Sequence, residues 1–160
     1  MNAELEKYLL IAQRLGFRVE FSHNLSWNHG KVSFYPCRKI IIGTRNYDSK
    51  TANYCGIGEI SERVQALILK HEIGHILVYQ SKYPDMDLAE YCLSNDTHFK
   101  IINEIYAWKT VLDDESLTVE DLEFIQEQIN EYVWCELIGT CTIEPQCELS
   151  QKLIDGLKSE

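Results

Sequence analysis

The chain has 160 residues, of which 45% are hydrophobic and 11% aromatic, enough for one folded domain, 1–160, around one core. A net charge of −10 and a pI near 4.9 oppose phosphate backbones and anionic bilayers, so no nucleic-acid partner is expected. No run approaches the ~20 apolar residues that cross a bilayer, and Met1-Asn2-Ala3-Glu4 carries no signal-peptide pattern. A cytoplasmic protein without a membrane partner is expected. In a reducing compartment the six cysteines, none in a CxxC pair, read as small buried hydrophobes with one or two exposed thiols.

Leu5, Leu9, Ala12 and Leu15 recur at helical spacing, and Gly16 follows as a stop, so residues 3–15 predict a helix. Phe17, Val19 and Phe21 alternate with Arg18, Glu20 and Ser22 at the period of a half-buried strand. Asn28-His29-Gly30 reads as a turn. Val32 and Phe34 alternate again, and Lys39–Gly43 forms a third short strand rich in β-branched residues. The expected class is α+β, with a small, largely antiparallel three-stranded sheet after the first helix. Residues 44–60, polar and with Gly56 and Gly58, read as a long surface loop. Ser61 is an N-cap candidate with Glu62 in the first turn, for a helix ending near Gln80–Lys82, ahead of Pro84. Residues 83–95 have no decisive pattern. Asp96 caps a helix to about Leu112. Thr118 and Asp121 mark the start of another, with Leu122, Ile125, Ile129 and Val133 as its apolar stripe. A short helix near 148–158 completes a helical C-terminal extension, 113–160.

The chemistry sits at His71-Glu72-Ile73-Gly74-His75. Residues four apart on an α-helix share a face, so both imidazoles can reach one metal ion. Glu72 is one step round, where its carboxylate can meet a water on that ion. Val64, Ala66, Leu67, Ile68, Leu69, Ile73, Ile76, Leu77 and Val78 surround the motif, so the helix reads as buried. Polar groups within it need partners. A metal supplies one; the bland alternative is a pair of core histidines bonded to backbone carbonyls.

Catalytic zinc takes three protein ligands and leaves a position for water. Glu104 is the leading third candidate, with Ile101 and Ala107 at i−3 and i+3 on the same apolar face of its helix. Its bland reading is a half-exposed helix residue. His98, Asp85, Asp87 and Glu90 are rivals, His98 foremost. A metzincin would need Gly and His where Val78 and Ser81 stand. Cys37 and Cys55 lack the Gly-Cys-Leu setting of a deformylase-like site.

The helix, the small sheet, the apolar HExGH helix and the later Glu104-Ile105-Tyr106-Ala107 resemble the minimal zincin fold of gluzincin metallopeptidases. Asn103-Glu104 is similar to the Asn-Glu of thermolysin's third-ligand motif. The Leu-Lys-His71-Glu72-Ile73-Gly74-His75-Ile-Leu segment and the compact size most resemble the ImmA/IrrE-type metallopeptidases of bacteria and mobile elements. The resemblance spans about residues 1–112. It implies an HExxH helix packed against a Glu-bearing helix, one Zn2+ held by His71, His75 and Glu104, and Glu72 as catalytic base. Trp108 departs from the pattern: it stands where thermolysin-like enzymes carry an Asp that orients a zinc histidine. Residues 113–160 match no known pattern.

The implied activity is zinc-dependent endopeptidase cleavage of one or a few cytosolic protein or peptide substrates, with Glu72 activating the zinc-bound water. Tyr79, Tyr106, His98 and Tyr91 are candidate oxyanion donors, and the Lys39–Gly43 strand is a candidate to pair with an extended substrate. The alternative is a zinc-binding interaction protein, a phage or mobile-element factor, that keeps the fold without proteolysis. The oligomeric state has no signal in the chain. Zinc itself is inferred from ligand softness; Mn, Co and Fe compete for such a site.

Overall fold

A computed structural model describes residues 1–23, 29–44 and 59–138, with side chains to 133. The expected loop at 45–58 and the expected helix near 148–158 lie outside these residues. Among the described residues the protein is α+β, with five helices and one three-stranded sheet. It divides into two compact units, Met1–Ile76 and Leu77–Glu160. No helix among the described residues is long and apolar enough to cross a membrane.

The first unit begins with α1 (Ala3–Arg14), capped by the Asn2 side chain, which accepts from the Glu4 amide at 2.9 Å. Leu5, Tyr8 and Ala12 are its buried stripe. Gly16 ends it at φ +82°, a left-handed conformation that costs other residues about 1–2 kcal/mol. The Gly16 and Phe17 amides then donate to the Gln13 and Ala12 carbonyls.

The sheet comprises β1 (Arg18–Ser22), β2 (Gly30–Ser33) and β3 (Lys39–Gly43), in the order β1-β3-β2. β3 pairs parallel with β1, Val19 opposite Ile40, and antiparallel with β2, Gly30 opposite Ile42. Two expectations are thereby corrected. The sheet is mixed, not largely antiparallel. Lys39–Gly43 is the central strand, so its backbone edges are both taken, and it cannot receive an extended substrate. The reason is burial: Ile40 and Ile42 are wholly buried, and the most apolar strand takes the place covered from both sides. The edges fall to β1 and β2. Phe21, on edge strand β1, is 46% exposed, so the inward alternation expected there fades at the strand's end.

α2 (Glu62–Lys82) begins as its sequence predicts, with Ser61 Oγ accepting from the Val64 amide at 3.3 Å. Ala66, Leu67, Ile68, Leu69, Ile73, Ile76 and Val78 are buried, while Leu77 is exposed. The boundary between the two units falls within this helix.

In the second unit a helix unresolved by sequence pattern appears at α3 (Leu88–Leu93), where Asp87 accepts from the Ala89 and Glu90 amides. It buries no residue fully and is tied by rings: Tyr91 lies 4.8 Å from Tyr79, 5.7 Å from Tyr83 and 5.8 Å from Phe99. α4 (Thr97–Leu112) is capped by Asp96, which accepts from the Phe99 amide at 2.9 Å. α5 (Val119–Ile138) opens with a reciprocal cap: the Thr118 amide donates to Asp121, and the Asp121 amide donates to Thr118 Oγ1. Asp121 is therefore buried at i−4 from buried Ile125, and Leu122, expected in the stripe, is 44% exposed. Ile129 and Val133 continue the buried row. Replacing Thr118 with Ala removes one half of the cap. It should lower the unfolding free energy by about 1 kcal/mol, read by urea denaturation.

Of the cysteines, Cys37 and Cys92 are exposed free thiols. Partial desolvation of its sulfur raises the Cys92 thiol above its ordinary pKa although the residue is exposed.

Candidate metal centre

α2 places His71 and His75 one turn apart. Their Nε2 atoms lie 3.1 Å from each other, with the rings at 75°. Two nitrogens bound tetrahedrally at Zn–N distances of 2.0–2.1 Å would stand about 3.3 Å apart. The imidazoles therefore already converge as a shared cation requires. His71 is 4% exposed and His75 half-buried.

Glu104 comes from the middle of α4, between buried Ile101 and Ala107. One ligand atom from each of His71, His75 and Glu104 falls within 4.8 Å of the others. This His/His/Glu group could hold a metal ion. The donor set suits zinc: two borderline nitrogens and one carboxylate oxygen, as in sites that keep a place for water. The rivals do not join it. His98, Asp85 and Glu90 are exposed, and Asp87 caps α3. Cys37 is exposed and outside the group, and Cys55 lies outside the described residues.

Comparison with family models, curated proteins and solved structures found no match.

Glu72 is 5% exposed, within a helix whose neighbouring side chains are mostly apolar. Gly30 of β2 approaches it: a Cβ built on Gly30 would stand 2.6 Å from Glu72 Oε1, 3.0 Å from Glu72 Cγ and 2.5 Å from Ile68 Cγ2. Ile68 and Glu72 are four apart and share a helix face. β2 therefore runs against that face at a distance only a bare backbone allows.

The candidate donors are placed differently. Tyr79 Oη donates to the Met86 carbonyl at 3.0 Å. Tyr106 lies under the Lys82 ammonium, 4.0 Å from its ring centroid. Tyr91 lies within electrostatic reach of Glu104. Its phenol is held well above the ordinary range, first by burial and then by Tyr83, Cys92, Glu104 and Tyr79.

Trp108, the departure from the thermolysin-like pattern, is buried and meets Phe124 of α5 edge-on at 6.3 Å. It packs the α4–α5 contact. Its replacement with Ala should cost about 3–5 kcal/mol of stability, measured by chemical denaturation. Asn103 is also buried, and its Oδ1 takes no hydrogen bond among the described residues.

Proposed function

We propose that this protein is a zinc-dependent endopeptidase of zincin-like fold, acting on one or a few protein substrates in the cytoplasm. The observation that carries the reading is the convergence of His71, His75 and Glu104 ligand atoms within 4.8 Å. Glu72 sits in the same helical turn as the histidines.

His71, His75 and Glu104 would hold the ion. Bound there, zinc would supply Lewis acidity, which makes water easier to deprotonate and an amide carbonyl easier to attack. Glu72 then takes the proton of the attacking water and passes it to the leaving nitrogen. An interaction protein has no need of that carboxylate, so its presence favours catalysis. Among the described residues β2 has no strand on its outer side. Of the two edge strands, β2 is the one that approaches Glu72, so it replaces β3 as the strand proposed to pair with an extended peptide.

The test is incubation of the zinc-loaded protein with a randomised peptide library, with new amino termini identified by mass spectrometry. Cleavage by wild type and none by Glu72→Gln is the expected result. Zinc bound with no cleavage by either would leave the interaction-protein reading.

A further inference from the structure

Gly30 lies on an element that neither holds the metal group nor carries the acid. We propose that it is a positioning residue: the bare backbone of β2 is the wall that fixes where the Glu72 carboxylate stands. The inference rests on the hydrolase reading for its consequence, though not for its geometry.

The contact distances define the constraint. Non-bonded heavy atoms settle at about 3.5–4.0 Å. A Cβ on Gly30 would meet Glu72 Oε1 at 2.6 Å and Ile68 Cγ2 at 2.5 Å, so something must move by about 1 Å. The backbone of Gly30 is poorly placed to yield. It is paired opposite Ile42, which is wholly buried, and the preceding His29 carbonyl accepts from the Gly43 amide at 2.7 Å. Ile68 is buried in α2 and has little room. Glu72 has three side-chain torsions and is the softest of the three. The Glu72 contact is therefore relieved by movement of its carboxylate, while the 2.5 Å contact with Ile68 Cγ2 must be relieved separately, which the Ile68→Ala background does. A proton acceptor misplaced by 1 Å can cost ~10²-fold in rate. His71 and His75 lie on other positions of the helix, and neither is among the three atoms nearest the added Cβ. The metal group should be untouched.

The experiment compares the wild-type chain, Gly30→Ala and the exposed control Glu6→Ala on α1. A further pair, Ile68→Ala and Ile68→Ala with Gly30→Ala, removes the helix contact and leaves the Glu72 contact, so that a folded protein carries the test. Each is measured for zinc per chain, for the crystallographic position of Glu72 with zinc bound, and for kcat and KM on a quenched fluorescent peptide selected from the library. The expected result is one zinc per chain throughout. The carboxylate is displaced by about 1 Å in the Gly30→Ala proteins, and kcat falls ~10²-fold against the matched background at nearly constant KM. An unmoved carboxylate with unchanged kcat overturns the inference. So does loss of zinc together with activity, which would make Gly30 a general structural glycine. A wild type that cuts nothing overturns the hydrolase reading alone, and the position of the Glu72 carboxylate then decides on Gly30.

Discussion

Glu72→Gln should reduce peptide cleavage by about 10²–10⁴-fold, the range lost when a positioned general base is removed. Zinc content should stay at the wild-type level. The amide keeps the shape of the carboxylate, so the Ile68–Glu72 face still fits against Gly30. It cannot accept the proton of water. The loss should appear in kcat more than in KM, because the proton moves only in the transition state. Equal activity in wild type and variant would remove Glu72 from the mechanism and return it to the role of a buried structural acid.

Glu104→Ala should uncouple metal binding from folding. Without the carboxylate only His71 and His75 remain of the three-ligand group. Any ion that binds only the native state stabilises it by mass action. With zinc at a thousand times its Kd, that contribution is about 4.1 kcal/mol. For cooperative unfolding of a chain of this length each kcal/mol corresponds to about 2–4 °C, so the wild-type melting temperature should fall by about 8–16 °C on chelation. The Glu104→Ala protein should melt near the chelated wild type, and a chelator should leave it nearly unchanged. Differential scanning calorimetry with and without a chelator reads both. A variant that still gains the full wild-type shift from zinc would show that another side chain holds the ion.

Local chemistry made much of this legible from residues alone. Ser61, Asp96 and Thr118 lie at helix starts because their side chains satisfy amides that no preceding turn can reach. The HExxH spacing fixes both histidines to one face regardless of what packs on it. Glu104 was legible through its buried neighbours Ile101 and Ala107.

What stayed hidden depends on contacts between distant segments. The strand order follows from which strand is covered on both edges. The apolarity of Ile40-Ile41-Ile42 hinted at that but did not give the directions of its partners. Gly30 was read as part of a turn, yet it opens β2 against Glu72. A turn glycine and a close-approach glycine look alike until the second segment is in place. α3 is six residues long and buries none of them fully, so no apolar period announces it. Leu122 is exposed because Asp121 turns inward to complete the cap with Thr118.

Crystals grown with zinc and measured on both sides of the zinc absorption edge test the three-ligand centre most directly. A single anomalous peak is expected, about 2.0–2.2 Å from one nitrogen each of His71 and His75 and from a Glu104 carboxylate oxygen. A peak on other residues, or none at stoichiometric zinc, would contradict that arrangement.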